Sequence, residues 1–318
     1  MDSADEWAQH LELHLMEELN RRGVGKDRLD LVRMVATEYD VGIPTGCRLM
    51  ESGLNDTYAV EVDGSCYALR LHGQNKPWIA GEGDLRFELS LLDHLHADGV
   101  PVSVSVRRRD GDSLGLIETA TGNRYCVLFT WAPGHAGADT EEHARRVGQT
   151  LAAIHVASDG FRTTYNRYTL DVRHLLDRPL KRLESSARES DSGAVEFIRG
   201  HVSEIRRRLQ AFKPGPGGWR VIHADPQVLN IHFTDGGQVT WFDFDLCGYG
   251  WRAYDLAYYY TRIPERLRAA ALDGYQAVRP LSDAELDMLP TLGRAAWVWE
   301  CIPPADLVEK LKNPYDVE

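Results

Sequence analysis

The sequence of 318 residues contains no run of the ~18 apolar residues that a membrane span requires, which predicts no membrane partner. Its opening stretch, MDSADEWAQHLELHLMEELNRRG, is acidic and amphipathic and lacks the basic start and apolar run of an export signal. Cysteines are few and unpaired in pattern. Cys47, Cys66, Cys126, Cys247 and Cys301 are odd in number, scattered and never spaced C-x-x-C, which speaks against a disulfide framework and a zinc knuckle and predicts a reducing, cytoplasmic setting. Cations are in deficit as well: 36 Lys and Arg stand against 48 Asp and Glu, a net charge of -12, so a general nucleic-acid binder is not expected. Such a balance suits an amine-bearing ligand, although solubility alone also accounts for it. With 43% hydrophobic residues the chain has material for one large domain or two lobes.

Apolar spacing predicts helices over residues 5–22 and 28–39, separated by Gly23 and Gly25. His10 and His14 lie one helical turn apart, but HLELH is not a zinc motif and reads as a helix face. TYAVEVDGSCYALRLH is a hairpin turning at Asp63-Gly64, and DLRFELSLLDHLHADGV is a helix ending at Gly99. Strands are expected at VPVSVSVR, SLGLIET and RYCVLFTW, before the break Pro133-Gly134. Beyond that break helices dominate, one starting at Thr140 and another carrying Val195, Ile198, Val202, Ile205 and Leu209 on one stripe. The expected division is a helical extension over 1–48, a β-rich lobe over 49–131 and a larger helical lobe over 132–318.

The densest chemistry lies in RVIHADPQVLNIHFTDGGQVTWFDFDLCGYGWRAYDLAYYY, from Arg220 to Tyr260. If Gly236-Gly237 is a two-residue turn, Asn230 stands opposite Asp243, on one face at the open end of a hairpin. An amide oxygen beside a carboxylate suits a hard cation such as magnesium. Asp225, in the loop at the same end, could orient a hydroxyl and accept its proton. Those are the working parts of phosphoryl transfer.

His223-Ala224-Asp225 with Asn230 fits H-x-D-x-x-x-x-N, and together with Asp243 in WFDFDLCGYGWRAYDLA the segment resembles the aminoglycoside phosphotransferase, choline kinase and homoserine-kinase-like group. That resemblance implies an α+β, protein-kinase-like two-lobed fold and an enzyme that moves phosphate from ATP, or from GTP, with Mg2+, to a hydroxyl of a small molecule. It implies Asp225 as the base, Asn230 and Asp243 as metal ligands, and His223, Asp245 and Asp255 as supports. Gly53, Asn55, Arg70, Glu88, Phe129 and Trp131 would hold the nucleotide, with Arg70 paired to Glu88. Ala224 and Leu229 stand where relatives usually carry glycine. Carboxylates beside aromatics, above all Glu300 and Trp297 but also Asp171, Asp177, Glu184, Tyr258, Tyr259 and Trp299, make an amine-bearing acceptor the expectation. A peptide Ser or Thr as acceptor, or a weakly active binding module with a protein partner, is the alternative.

Overall fold

The computed structural model describes residues 26–74, 76–119, 122–137 and 139–316; the helix expected over 5–22 and the pair His10 and His14 lie outside them. The chain forms two compact units, one from the residues up to Leu89 with Ser103–Trp131, the other from Ser90–Val102 with the residues from Ala132 onward. Among the described residues no helix is long and apolar enough to cross a membrane.

The first unit is an antiparallel sheet in the order β1 (Pro44–Ser52), β2 (Asn55–Val62), β3 (Ser65–His72), β5 (Gly122–Thr130), β4 (Gly115–Thr119). Helix α1 (Lys26–Glu38) lays Leu31, Val32 and Val35 on Val60, Leu69, Leu71 and Leu128. Each fully buried side chain of this kind contributes about 1.5–3 kcal/mol. The β2–β3 turn is the one expected: Asp63 (φ 48°) and Gly64 (φ 80°) both take the left-handed conformation of a type I′ hairpin. VPVSVSVR does not form a strand. Val104 and Val106 bond to the β5 backbone at Thr130 and Leu128, whereas the Pro101 carbonyl accepts from Trp241, so two different partners divide the run. Helix α2 (Glu82–Ala97) leaves this unit after Leu89.

The second unit begins with β6 (His135–Ala136) and α3 (Glu141–Ala157), whose first turn is capped by Thr140 accepting from the His143 amide at 3.1 Å. A π-turn (Arg173–Asp177) leads into α4 (Arg178–Ser186), and α5 (Ser192–Ala211) buries the stripe Val195, Ile198, Val202, Ile205 and Leu209. Two small sheets follow, β7 (Trp219–Ile222) with β10 (Gly248–Trp251), and β6 with β8 (Ile231–Phe233) and β9 (Val239–Trp241). The unit closes with α6 (Arg252–Tyr260), α7 (Glu265–Val278), α8 (Asp283–Trp299) and α9 (Pro304–Lys312). Helices α3 and α7 cross closely: a Cβ at Gly148 would lie 2.0 Å from the Ala271 carbonyl oxygen, and one at Gly274 2.0 Å from that of Arg145. Only glycine permits that approach.

The β8–β9 register differs from the expectation. Ile231 faces Trp241 and Phe233 faces Val239, which puts Asn230 opposite Phe242, with the Phe242 amide donating to the Asn230 carbonyl at 3.1 Å. The turn has three residues, Asp235 to Gly237, with Gly237 at φ 75°, and the extra residue shifts every partner by one. A one-residue shift reverses the faces, so a shared strand face does not bring Asp243 to the site. A left-handed backbone at Asp243 (φ 59°, ψ 61°) does that instead.

Candidate active site

The segment after β7 is held by one buried carboxylate. Asp255, on α6, accepts from the backbone amides of His223 and Ala224, both at 2.9 Å, and from His155 Nε2 at 3.0 Å. His155 in turn meets the Tyr275 hydroxyl at 2.7 Å. Those bonds fix Ala224 in the left-handed conformation (φ 70°), which costs about 1 kcal/mol in a residue with a Cβ and turns the following aspartate out of the strand direction. His223 is fully buried, and burial lowers its pKa, so it is a neutral imidazole. Its Nδ1 accepts from the Asp225 amide at 3.3 Å, which leaves the Nε2 proton to bond the Phe242 carbonyl at 3.2 Å.

Asp225 is partly buried and richly bonded. Its Oδ2 accepts from Asn230 Nδ2 at 2.9 Å and from Gln227 Nε2 at 3.0 Å, and the Tyr258 hydroxyl also bonds the carboxylate. Burial pushes the carboxyl up to about 6; the bond from Tyr258 opposes this, the charge of Asp243 adds to it, and the bonds from Asn230 and Gln227 oppose it. A carboxyl in that range is ionised at neutral pH yet able to take up a proton.

The oxygen donors nearby fit a hard divalent cation. Asn230 commits its Nδ2 protons to the main chain and side chain of Asp225, which leaves Oδ1 as its ligand atom, and Asp243 has a buried Oδ1. The carboxylates of Asp225 and Asp243 repel each other, and a cation relieves that repulsion. Among the described residues no three His, Cys, Asp or Glu side chains form a ready-made metal cluster. Magnesium commonly takes one or two protein ligands and completes its shell with water and phosphate oxygens. Asp245 is buried in the turn after Asp243, where Arg167 holds its carbonyl as well as that of Cys247, and Tyr168 holds that of Leu246. Sequence reasoning missed Arg167, Tyr168 and Gln227; the first two stand in a loop without periodicity and carry no motif.

The first unit has its own constellation. Arg70 on β3 pairs with Glu88 on α2 at 2.8 Å, both nearly inaccessible, and lies 4.8 Å over the ring of Phe129 on β5. Glu88 Oε2 is buried and accepts no hydrogen bond among the described residues. Gly53 is exposed in the β1–β2 turn, where its amide donates to the Asn55 carbonyl at 3.0 Å. The Asn55 side-chain oxygen accepts from the Gly73 amide at 3.1 Å and from Lys76 Nζ at 2.8 Å. Lys76, buried, is a further residue that no sequence pattern indicated. Trp131, half-buried, ends the segment after β5.

The expected acceptor contacts are redistributed. Trp297 is buried in packing: its indole donates to the Pro314 carbonyl at 2.8 Å, and its ring is covered by Arg262 at 4.3 Å and Lys310 at 5.1 Å. Asp177 and Glu184 are neutralised by Arg206 and Arg199, at 2.6 and 2.9 Å. Glu300 does reach the site, because its Oε1 accepts from the Tyr258 hydroxyl at 2.7 Å, but it is ion-paired with Arg262.

A β-sheet unit with a buried strand-to-helix ion pair, and a helical unit presenting a hydrogen-bonded aspartate before a short hairpin, are the parts of a protein-kinase-like small-molecule kinase. The fold is shared with the microcompartment-associated aminopropanol kinase (24% identity, TM-score 0.72, covering 90% of this chain and 95% of that one). It is shared too with amicoumacin kinase in complex with AMP-PNP, Ca2+ and Ami (18% identity, TM-score 0.75, 90% and 93%). The chain belongs to the phosphotransferase enzyme family, whose model matches residues 46–286. It is 30% identical to a homoserine kinase of Agrobacterium fabrum over 90% of both chains. The protein is therefore a phosphotransferase acting on a hydroxyl group of a small molecule.

Proposed function

We propose that the protein transfers the γ-phosphoryl group of ATP, with Mg2+, to a hydroxyl of a small amine-bearing acceptor in the cytoplasm. The observation that carries this reading is the Asp225 carboxylate, held by Asn230 and Gln227 at 2.9 and 3.0 Å with the charge of Asp243 beside it. The acceptor hydroxyl gives its proton to Asp225 as its oxygen bonds to the γ-phosphorus. The bond from that phosphorus to the β–γ bridging oxygen breaks, and ADP leaves with the electron pair. Asn230 and Asp243 would hold the Mg2+, which when bound neutralises charge on the phosphates. Arg70, oriented by Glu88 and Phe129, would neutralise phosphate charge, and Asn55 with Lys76 shapes the turn that carries Gly53. Homoserine and aminopropanol, named for two similar proteins, are amino compounds with a free hydroxyl. Five scattered cysteines, none paired with another, suit a reducing compartment.

The test is ADP release by the full chain with ATP or GTP and Mg2+ across amino alcohols, hydroxy amino acids, aminoglycosides, neutral polyols and Ser or Thr peptides. Turnover with an amine-bearing small molecule is expected; turnover with polyols or peptides alone would overturn the reading.

A further inference from the structure

Arg262 and Glu300 form an ion pair whose side chains are 19% and 24% accessible, so neither is sealed in the core. The pair adjoins the base through one atom. The Tyr258 hydroxyl donates to Glu300 at 2.7 Å, bonds the Asp225 carboxylate, and lies 3.3 Å from Arg262 Nη2. Burial raises the Tyr258 pKa well above its usual value, so it carries a single proton that two carboxylates contest. Arg262 has a second set of contacts besides Glu300. Its guanidinium lies 4.9 Å over the Tyr258 ring and 4.3 Å over that of Trp297, and those two faces would hold it in place if Glu300 turned away.

A purely cationic acceptor could take Glu300 only by leaving Arg262 without its counter-ion, and an anionic one would strand Glu300. Each outcome leaves a half-buried charge uncompensated. A zwitterion exchanges one ion pair for two. We propose that Arg262 and Glu300 separate to receive the carboxylate and the ammonium of a hydroxy amino acid, whose hydroxyl then rests on Asp225. Two hydrogen bonds through one phenol oxygen span roughly 4–5 Å, which matches a hydroxyl about three or four bonds from its charged groups. When an ammonium occupies Glu300, the Tyr258 hydroxyl turns its hydrogen bond to Asp225 and keeps its proton. The proposal rests on the amine-bearing reading above and narrows it.

Steady-state kinetics with ATP and Mg2+ on homoserine, 3-amino-1-propanol (no carboxylate) and 4-hydroxybutyrate (no ammonium) test it. Wild type should prefer homoserine to either truncated acceptor by at least ~10-fold in kcat/KM. Arg262→Gln should lower the homoserine-to-aminopropanol ratio by about 10- to 100-fold, with Arg262→Lys recovering part of it. Glu300→Gln should lower the homoserine-to-hydroxybutyrate ratio similarly. Melting temperatures are read in parallel; if a variant unfolds, Arg262→Lys and Glu300→Asp replace it, and each should still reduce its ratio. Equal use of homoserine and aminopropanol, ratios that no variant moves, or turnover with aminoglycosides only would overturn this inference and leave the amine-bearing reading standing. Turnover with neutral polyols only would overturn both.

Discussion

The segment around Asp225 and the turn around Gly53 are each expected to position a reactant, yet they are built in opposite ways. The first is bonded many times over, with two consecutive backbone amides, one of them of the strained Ala224, and a histidine all tied to the Asp255 carboxylate. The second is exposed, and the Gly73 amide and Lys76 ammonium of its flank converge on the side chain of Asn55. Proton acceptance tolerates little error in placement, whereas a flexible polyphosphate can be followed by a loop that adjusts. Changes to the first region should therefore alter both kcat and stability; changes to the second should move nucleotide KM alone.

The largest expected effect is that of Asp225→Asn, a loss of about a thousand-fold in kcat with nucleotide affinity nearly unchanged by calorimetry. The same variant should be more stable than wild type at pH 7.5. Because the folded state raises this pKa to about 6, the protonated form is favoured by folding, and that contribution is lost as pH rises through about 6. The difference in melting temperature should vanish as pH falls towards 4. For the same reason wild-type activity without saturating metal should rise with pH through about 6; a flat profile would remove Asp225 as the base.

Asp243→Ala comes next, with Mg2+-dependent nucleotide affinity down by about 100-fold in titrations with and without the ion. Asp255→Asn, which brings two donors to a site of three donors, should destabilise the fold by about 3 kcal/mol in urea and lower kcat with it. Smallest is Asn55→Ala, a rise of about three- to ten-fold in nucleotide KM with an unchanged melting temperature. Should Asn55→Ala destabilise as much as Asp255→Asn, the contrast between the two regions fails.

The chemistry-bearing residues were legible because their types are costly to bury without a purpose, and a short motif gathers them: Asp225, Asn230 and His223 stand in one loop. Periodicity was equally reliable where one partner covers a whole face, as for α5 and the Asp63-Gly64 hairpin. It failed where partners change along a run, as in VPVSVSVR, and where glycines permitted a three-residue turn that moved Asn230 from Asp243 to Phe242. Contacts between residues remote in sequence leave no local trace. Arg167 meets the Asp243 turn 78 to 80 residues away, and only the fold reveals that Glu300 already has Arg262 for a partner.

The position of Asp255 in the chain has a consequence for synthesis. Asp255 binds His155 and His223, which lie 100 and 32 residues before it, so the ribosome releases Asp225 before the residue that ties its segment down. At about 5–20 residues per second the interval lasts seconds. Through that interval Asp225 has no fixed geometry, and Tyr258, Arg262 and Glu300 are still to come. The last helices also follow Asp225 in the chain, so the parts that the proposed transfer needs are complete only near the end of synthesis.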